Sequence, residues 1–289
     1  MDALQYEAPV SVEDAVNLLS SVNGNAKILA GGTDLLVQLR MGMIKPRLII
    51  NVKDIPELSA ITHENGRYRI GAAVSGATLG EHEGMKAAWP GVVEALELIG
   101  STQIQGRASM GGNLCNASPA ADAVPAMIAA GAVCSIVGSK GRREIPVEEV
   151  VIAPGKTSLA PDELVVDFLF PEKAERSGDA YLRFIPRTEM DIAVVGVGIN
   201  LSLDESGCCT AARVALGAVA ATQVLVDEGA TALIGSKVDT AALDGLDKAA
   251  QAACSPINDK RGTIKYRTTV AGVLARRAAK IALQRAEIE

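Results

Sequence analysis

Two runs of adjacent glycines, eighty positions apart, constrain this chain more than any other feature of its sequence. The first, Gly31-Gly32, follows the short apolar segment 27–30 and precedes a predicted helix over 35–41. The second, Gly111-Gly112, lies in a predicted loop over 106–116 that leads to an Ala-rich helix over about 122–131. Glycine has no Cβ and admits backbone conformations and close approaches that other residues exclude. Each run therefore predicts a turn at which the backbone lies close to another group.

The first run, within Ala30-Gly31-Gly32-Thr33-Asp34, is typical of an anion-binding turn between a strand and a helix. Successive free N–H groups form a concave anion site, and the start of a helix adds partial positive charge. A diphosphate fits such a site. A Gly-Gly pair also occurs as a tight turn without a ligand, and the residues alone leave both interpretations open.

The second run lies among small polar side chains, from Ser109 to Asp122. These side chains can hold a phosphate and a ribose, with Asp122 accepting from a sugar hydroxyl. Alternatively, the segment is a polar loop whose Asp122 caps the next helix. Neither run matches the P-loop pattern, or Gly-x-Gly-x-x-Gly within a βαβ unit, which argues against ATP on a P-loop and NAD on a Rossmann fold. Together, the two runs are suited to clasp one diphosphate from both sides.

A third segment, Arg187-Thr188-Glu189-Met190-Asp191, places a charged loop directly before a predicted buried strand. Charged groups at the mouth of a strand can act on a ligand bound there. The same segment is equally compatible with a surface turn.

The scarcity of histidine, cysteine and aromatic residues excludes several kinds of site. His63 and His82 are the two histidines, and both are predicted to be solvated. The five cysteines include no Cys-x-x-Cys pair, so a zinc or iron–sulfur site of the usual close spacing is absent. The adjacent Cys208-Cys209 is predicted to be incidental, with a redox-active pair as the alternative. Aromatic residues make up 3 % and the net charge is −6, which argues against nucleic-acid binding.

The rest of the chain predicts location and general architecture. Residues 1–7 lack the basic start and apolar run of a signal peptide, and the most apolar stretch, 123–137, is too short to span a membrane. We therefore expect a cytoplasmic protein. A polar segment over 171–179 is predicted to be a linker. Alternating strands and then helices follow it, which is typical of an α+β layer.

Taken together, the three motifs resemble the FAD-binding (medium) subunit of the molybdenum hydroxylases, in the order and spacing of that family. This family includes bacterial carbon monoxide dehydrogenase, xanthine dehydrogenase and N-heterocycle hydroxylases, and the resemblance covers essentially the whole chain. It implies an α+β protein with a PCMH-type (vanillyl-alcohol-oxidase-like) FAD-binding domain made of two α/β subdomains, 1–57 and 58–176. A C-terminal α+β domain of the CO dehydrogenase flavoprotein type, 177–289, would follow.

The same resemblance implies a set of cofactor-binding residues. The FAD diphosphate would be wrapped on one side by Ile28, Leu29, Ala30, Gly31, Gly32, Thr33 and Asp34. It would be held on the other side by Ser109, Gly111, Gly112, Asn113 and Asn116. Asp122 would hold the ribitol or ribose region. The residues near the isoalloxazine would be Leu164, Val165, Arg183, Arg187 and Asp191.

Two departures from the family pattern bear on this assignment. Asn116 stands where some relatives carry Thr, which weakens that contact. The Cys-rich insertion of the 4-hydroxybenzoyl-CoA reductase branch is absent, which disfavours that branch.

The implied function is electron transfer within a multisubunit enzyme. Molybdopterin and [2Fe-2S] clusters would sit on a large and a small partner subunit, in a dimer of heterotrimers, and the FAD would pass electrons to an external acceptor. The substrate class would include N-heterocycles and purines, with a carbon monoxide dehydrogenase medium subunit as the alternative. The chain itself would supply no catalytic residue and no metal ligand. Two alternatives of other classes are a self-sufficient flavin oxidase or dehydrogenase, and a nucleotide-binding assembly protein without redox function.

Overall fold

The computed structural model describes residues 4–288, so the first three residues of the segment examined for a signal peptide lie outside the described part. The N-terminal unit is a parallel sheet backed by a helix. Its strands β1 (Gln5–Glu7), β2 (Ala26–Leu29) and β3 (Leu48–Asn51) lie in the order β1-β3-β2. Its helices are α1 (Val12–Ser21), α2 (Leu35–Arg40) and α3 (Pro56–Ser59). The strand and the helix predicted around the first glycine run are β2 and α2.

The middle unit is a five-stranded antiparallel sheet covered by short helices. Its strands are β4 (Ile61–Glu64), β5 (Arg67–Gly71), β6 (Val133–Gly138), β7 (Gly141–Pro146) and β10 (Leu164–Phe170), in the order β4-β5-β10-β6-β7. A separate pair is formed by β8 (Val151–Ala153) and β9 (Lys156–Thr157). The helices are α4 (Gly76–Gly80), α5 (Glu83–Ala88), α6 (Pro90–Glu97), α7 (Thr102–Gln105), α8 (Met110–Cys115) and α9 (Ala123–Ala130).

The segment around the second glycine run is largely helical, and the prediction of a loop over 106–116 was wrong. Ser109 begins α8, because its Oγ accepts a hydrogen bond from the N–H of Gly112 at 3.1 Å. A serine three residues before an unpaired N–H is a typical helix start. Gly111 and Gly112 therefore lie inside the first turn of a helix.

The C-terminal unit is a four-stranded antiparallel sheet with helices on one face. Its strands β11 (Ser177–Phe184), β12 (Val195–Leu203), β13 (Cys209–Gly217) and β14 (Val224–Leu225) lie in chain order. Its helices are α10 (Asp227–Leu233), α11 (Thr240–Ala252) and α12 (Ile264–Glu287). The alternating strands and following helices are as predicted. No helix within residues 4–288 is both long and apolar enough to cross a membrane.

The predicted linker over 171–179 is shorter in the structure. Strand β11 begins at Ser177, and Asp179 within it is buried. The Nζ of Lys173 donates to the Asp179 carboxylate at 2.8 Å, and the N–H of Gly91 donates to it at the same distance. These polar residues are therefore packed between the middle and C-terminal units, which the polarity of the segment alone does not indicate.

Helix α9 lies between the middle unit and the C-terminal sheet, and all eight of its residues are buried. Its apolar side chains share one core with the five-stranded sheet, and Tyr181 and Ala215 of the C-terminal sheet belong to the same core. Glycines let the backbones approach on the C-terminal side. A Cβ at Gly198 of β12 would overlap the carbonyl oxygen of Pro125, and a Cβ at Gly217 would lie 2.8 Å from the Pro125 ring.

We expect Gly198→Ala to lower the free energy of unfolding by about 1–3 kcal/mol, because the added methyl group must displace the backbone of α9. Urea unfolding followed by circular dichroism measures the change. Gly106→Ala is the matched control. Gly106 is exposed, has a right-handed backbone and has no atom closer than 3.6 Å to the added Cβ. Equal stability of the two variants would contradict this description of the α9 contact.

Candidate functional site

The turn over 31–34 presents a row of free backbone donors. Within the described residues, the N–H groups of Gly31, Gly32, Thr33 and Asp34 donate to no backbone or side-chain acceptor. Gly32 has φ +76°, which only glycine adopts readily. Consecutive N–H groups around such a turn form an anion nest. The segment Ile28-Leu29-Ala30 leads into this nest from β2.

Two cations that the sequence analysis did not single out lie beside the nest. The Nζ of Lys53 donates to the carbonyl of Ala30 at 3.2 Å and to Oδ1 of Asn51 at 2.5 Å. Burial, and secondly the positive charge of Arg107, lower the pKa of Lys53 from its ordinary value. Lys53 and Arg107 therefore share one neighbourhood, and their combined charge favours an anion there.

The first glycine run lies against the segment that leads into the second run. A Cβ at Gly31 would overlap the carbonyl oxygen of Arg107, just before the second run. From α2, the Nε2 of Gln38 donates to Oδ1 of Asn116 at 3.3 Å. Segments separated by more than seventy residues thus form one surface.

Gly111 and Gly112 differ in their surroundings. The N–H of Gly111 donates to the carbonyl of Ala72 at 3.1 Å, and a Cβ at Gly111 would lie 2.6 Å from that oxygen. Gly112 is exposed, and the one atom near its Cβ position is Oγ of Ser109 at 3.3 Å. Gly111 is therefore required by packing, whereas the bare backbone of Gly112 is open to a ligand.

Two of the polar side chains predicted to hold the cofactor also join elements of the fold. Ser109 is buried and caps α8, and Asn113 accepts a hydrogen bond from the N–H of Ala123 at 3.0 Å. The bond from Asn113 places the second glycine run directly beside the start of α9. Among the described residues, neither the Ser109 hydroxyl nor the Asn113 amide donates to a protein acceptor.

Asp122, directly before α9, is the centre of a buried polar cluster. Its Oδ1 accepts from the hydroxyl of Tyr181 at 2.9 Å, and its Oδ2 accepts from Nη1 of Arg183 at 2.9 Å. Its side chain makes no capping bond to α9, so the interpretation of Asp122 as a helix cap was wrong. Burial raises the pKa of Asp122 from 3.8 to about 6, although Arg183 and Tyr181 both act to lower it. We call Asp122, Tyr181 and Arg183 the interdomain triad.

The C-terminal unit also holds the segment between α8 and α9. The Nε2 of Gln223 donates to the carbonyls of Ser118 and Pro119 at 2.8 and 3.1 Å. The N–H of Ala218 donates to the Pro119 carbonyl at 2.7 Å. Residues 118–122 are therefore fixed by the C-terminal sheet and the turn that follows β13. The sequence analysis missed Gln223 and Tyr181, because their partners lie about a hundred and about sixty positions away.

The charged loop after β11 is built around Asp191. Its carboxylate accepts from Nε of Arg187 at 3.1 Å and from Nε of Arg261 at 3.3 Å. The bond from Arg187, with the N–H of Ile192 and Arg261, lowers the pKa of Asp191 to about 2. The N–H of Met190 donates to the carbonyl of Gly100 at 3.1 Å. Among the described residues, no hydrogen bond joins this loop directly to either glycine run.

Leu164 and Val165 lie in β10, and both are buried in hydrophobic cores. Leu164 packs with the core of the N-terminal unit and Val165 with that of the middle unit. Backbone hydrogen bonds connect β10 to the second glycine run through Ala72. The N–H of Ala72 donates to the carbonyl of Val166 at 2.8 Å, while the carbonyl of Ala72 accepts from Gly111. Any contact of these two residues with a cofactor would therefore involve main-chain atoms.

Three observations show that this region suits a flavin nucleotide. The nest offers four adjacent N–H donors to a diphosphate, and Gly112 leaves its backbone open on the other side. In the triad, the Arg183 side chain is 4 % exposed, and its Nε–H is buried with no acceptor. A buried donor without a partner costs about 1–3 kcal/mol, and a ligand acceptor removes that cost.

The remaining predictions for histidine and cysteine are partly corrected. His63 is exposed, but His82 is half-buried, and its Nδ1 accepts from the N–H of Met85 at 3.1 Å. Cys208 and Cys209 are both free thiols. Among the described residues, no group of His, Cys, Asp and Glu is arranged to hold a metal ion.

Comparison with known proteins identifies the family. A family model described as the FAD binding domain in molybdopterin dehydrogenase matches residues 2–173, and one described as the CO dehydrogenase flavoprotein C-terminal domain matches residues 180–282. The chain belongs to this flavoprotein family. The resemblance and the fold class predicted from the sequence are thereby confirmed.

The relatives of this flavoprotein are similar along nearly their whole length. The carbon monoxide dehydrogenase medium chain of Hydrogenophaga pseudoflava is 31 % identical, with 97 % of each chain covered. The xanthine dehydrogenase FAD-binding subunit of Escherichia coli O157:H7 is also 31 % identical, covering 92 % of this chain and 91 % of the relative. A solved carbon monoxide dehydrogenase structure from Hydrogenophaga pseudoflava matches with a TM-score of 0.93, 32 % identity and 98 % of both chains. This protein is accordingly an FAD-binding subunit of a molybdenum-containing oxidoreductase.

The raised pKa of Asp122 predicts how stability depends on pH. Between pH 3.8 and about 6 the folded flavoprotein binds more protons than the unfolded chain, so the free energy of unfolding falls as pH rises and is level above that range. The total contribution is about 3 kcal/mol. Asp122→Asn removes it. Urea unfolding of both proteins without flavin, at pH 4, 5, 6 and 7, measures the difference, and parallel pH curves would contradict the assignment.

Proposed function

We propose that this flavoprotein transfers electrons from iron–sulfur clusters on a partner chain, through FAD, to an external acceptor such as a quinone, NAD, a cytochrome or oxygen. When bound, FAD supplies the two-electron chemistry, while the protein supplies binding, orientation and electrostatics. The observation that carries the proposal is the anion nest of residues 31–34 beside Lys53 and Arg107, which lies against the segment just before the second glycine run.

The residues of the site divide into two groups by their chemistry. The first group would hold the diphosphate through backbone donors and small polar side chains, and comprises residues 28–34 with Ser109, Gly111, Gly112, Asn113 and Asn116. In the second group, Asp122 would hold the ribitol or ribose region. Arg183, the main chain at Leu164 and Val165, and the loop from Arg187 to Asp191 would lie near the isoalloxazine. The free Nε–H of Arg183 supports its place in the second group.

The organisation of the complex forms part of the same proposal. We assign 1–57 and 58–176 to the two FAD-binding subdomains and 177–289 to the C-terminal domain. The partners are a small iron–sulfur subunit and a large molybdopterin subunit, in a cytoplasmic dimer of heterotrimers. Relatives of equal identity bear the names of carbon monoxide and xanthine enzymes. Substrate choice therefore belongs to the large subunit, and a carbon monoxide, purine or N-heterocycle enzyme fits this chain equally.

The first test is the visible absorption spectrum of the chain purified natively with its partners. We expect flavin bands together with iron–sulfur bands and two further subunits. A flavin bound to the lone chain and bleached directly by a small molecule would instead indicate a self-sufficient oxidase. A colourless chain that does not take up added FAD would contradict the proposed function.

The second test is Gly112→Val. Its side chain would occupy the open backbone surface of α8, so we expect FAD affinity to fall at least tenfold, about 1.4 kcal/mol. The fold should persist, because the Cβ meets nothing closer than 3.3 Å. Flavin fluorescence measures binding and circular dichroism measures folding.

Gly106→Val is the control for this variant, since Gly106 is also exposed and unobstructed but lies at the end of α7. It should bind FAD as the wild-type chain does. Full flavin occupancy in Gly112→Val would show that α8 does not face the diphosphate.

A further inference from the structure

The interdomain triad joins the start of α9 to strand β11 in a setting with little access to water. Tyr181 and Asp122 are 2 % and 7 % exposed, and the Arg183 side chain is 4 % exposed. Tyr181 and Arg183 are two positions apart on β11, so their side chains project from the same face of the sheet. The ring of Tyr181 lies against Gly196 of β12, where a Cβ would come within 2.6 Å of its hydroxyl. The backbone thus holds all three groups in place.

Within the triad, the carboxylate of Asp122 is shared. One oxygen accepts from Tyr181 and the other from Arg183. Arg183 uses Nη1 for this bond, and its Nε–H has no acceptor. Asp122 is therefore engaged mainly with protein groups, and the atom left free for a ligand belongs to Arg183. This differs from the expectation that Asp122 itself holds the sugar region.

We infer that Tyr181 is a positioning residue for the flavin: its hydroxyl, acting through Asp122, fixes the orientation and the net charge of the Arg183–Asp122 pair. This pair would act on the bound nucleotide through the unpartnered Nε–H of Arg183. The inference rests on the proposed function, because it requires a flavin at this site. The positive charge of Arg183 favours electron-rich, reduced flavin, and the negative charge of Asp122 offsets it. The donor from Tyr181 stabilises the charged form of Asp122 and so sets the balance between the two.

The other polar groups near Asp122 are engaged with partners of their own. Helix α8 contributes Asn113, which is neutral and bonded to Ala123. Glu94 of α6 accepts from the backbone N–H of Tyr181 at 3.4 Å and pairs with Arg285. Burial raises the pKa of Asp122, and Arg183 and Tyr181 are the two partners that act against it by stabilising the charged form.

Loss of the Tyr181 hydroxyl has a defined consequence. Removing a hydrogen bond to a charged carboxylate raises its pKa by about one unit or more. In Tyr181→Phe, Asp122 therefore takes up its proton at a higher pH, and Arg183 loses its counter-charge under conditions where the wild-type pair is still balanced.

The test is the midpoint potential of the bound flavin, measured by spectroscopic titration of the FAD-loaded full chain from pH 5 to pH 8. We expect the wild-type potential to show an inflection near pH 6, which Asp122→Asn abolishes. Tyr181→Phe should move this inflection upward by about one pH unit. In the Asp122→Asn background, Tyr181→Phe should have no further effect, since both changes act through one carboxylate.

Tyr68→Phe is the matched control, because Tyr68 is also a buried tyrosine but stacks on His63 in the middle unit. Its potential should follow the wild-type curve. A wild-type inflection that stays in place in Tyr181→Phe, or that persists in Asp122→Asn, would overturn the positioning role while leaving flavin binding intact. Failure of the wild-type chain to bind flavin would instead overturn the proposed function. If Tyr181→Phe does not fold, the presence or loss of the inflection in Asp122→Asn still decides whether Asp122 acts on the flavin.

Discussion

The burial of helix α9 on every side is the constraint on which the rest of this structure depends. A helix between two sheets can carry no exposed polar face, and all eight of its residues are buried. Its backbone must also lie close to β12 and β13, which is possible because Gly198 and Gly217 have no side chains. Asp122 directly precedes this helix, so the packing of α9 also fixes where that carboxylate lies relative to β11.

Buried charge then sets the register between the middle and C-terminal units. Within residues 4–288, four ion pairs cross between them, namely Asp122–Arg183, Lys173–Asp179, Glu94–Arg285 and Glu148–Arg213. Burial lowers the pKa of Lys173 and raises that of Asp179, so their mutual attraction must offset a considerable loss of hydration. Such pairs add little net stability, but they penalise any misplacement that would leave one partner alone. Here these pairs favour the one relative position of the middle and C-terminal units that also brings Arg183 to Asp122.

The sequence predicts the parts of this structure that depend on neighbouring residues. The strand before Gly31 and the helix after it follow from local pattern, as do the antiparallel strands of the last third. The second glycine run was predicted as a loop because glycine is unfavourable in helices. The signal for a helix start, the capping Ser109 three residues before Gly112, was given less weight. Lys53 and Arg107 were not predicted as site residues, because only folding of the chain brings them close to the anion nest. The pairing of Tyr181 with Asp122 likewise depends on how two sheets pack together. Local sequence periodicity does not predict that packing.

The attachment of residues 118–122 to the last third of the chain has a consequence for how the protein is made. A ribosome delivers residues 1–176 before the strands that cover α9 and before Tyr181, Arg183 and Gln223. Until those strands are made, helix α9 has one uncovered apolar side, and exposed apolar surface of this kind favours association between chains. Arg183 and the loop from Arg187 to Asp191 are likewise absent at that stage. The C-terminal sheet is therefore the last part of the proposed site to be synthesised.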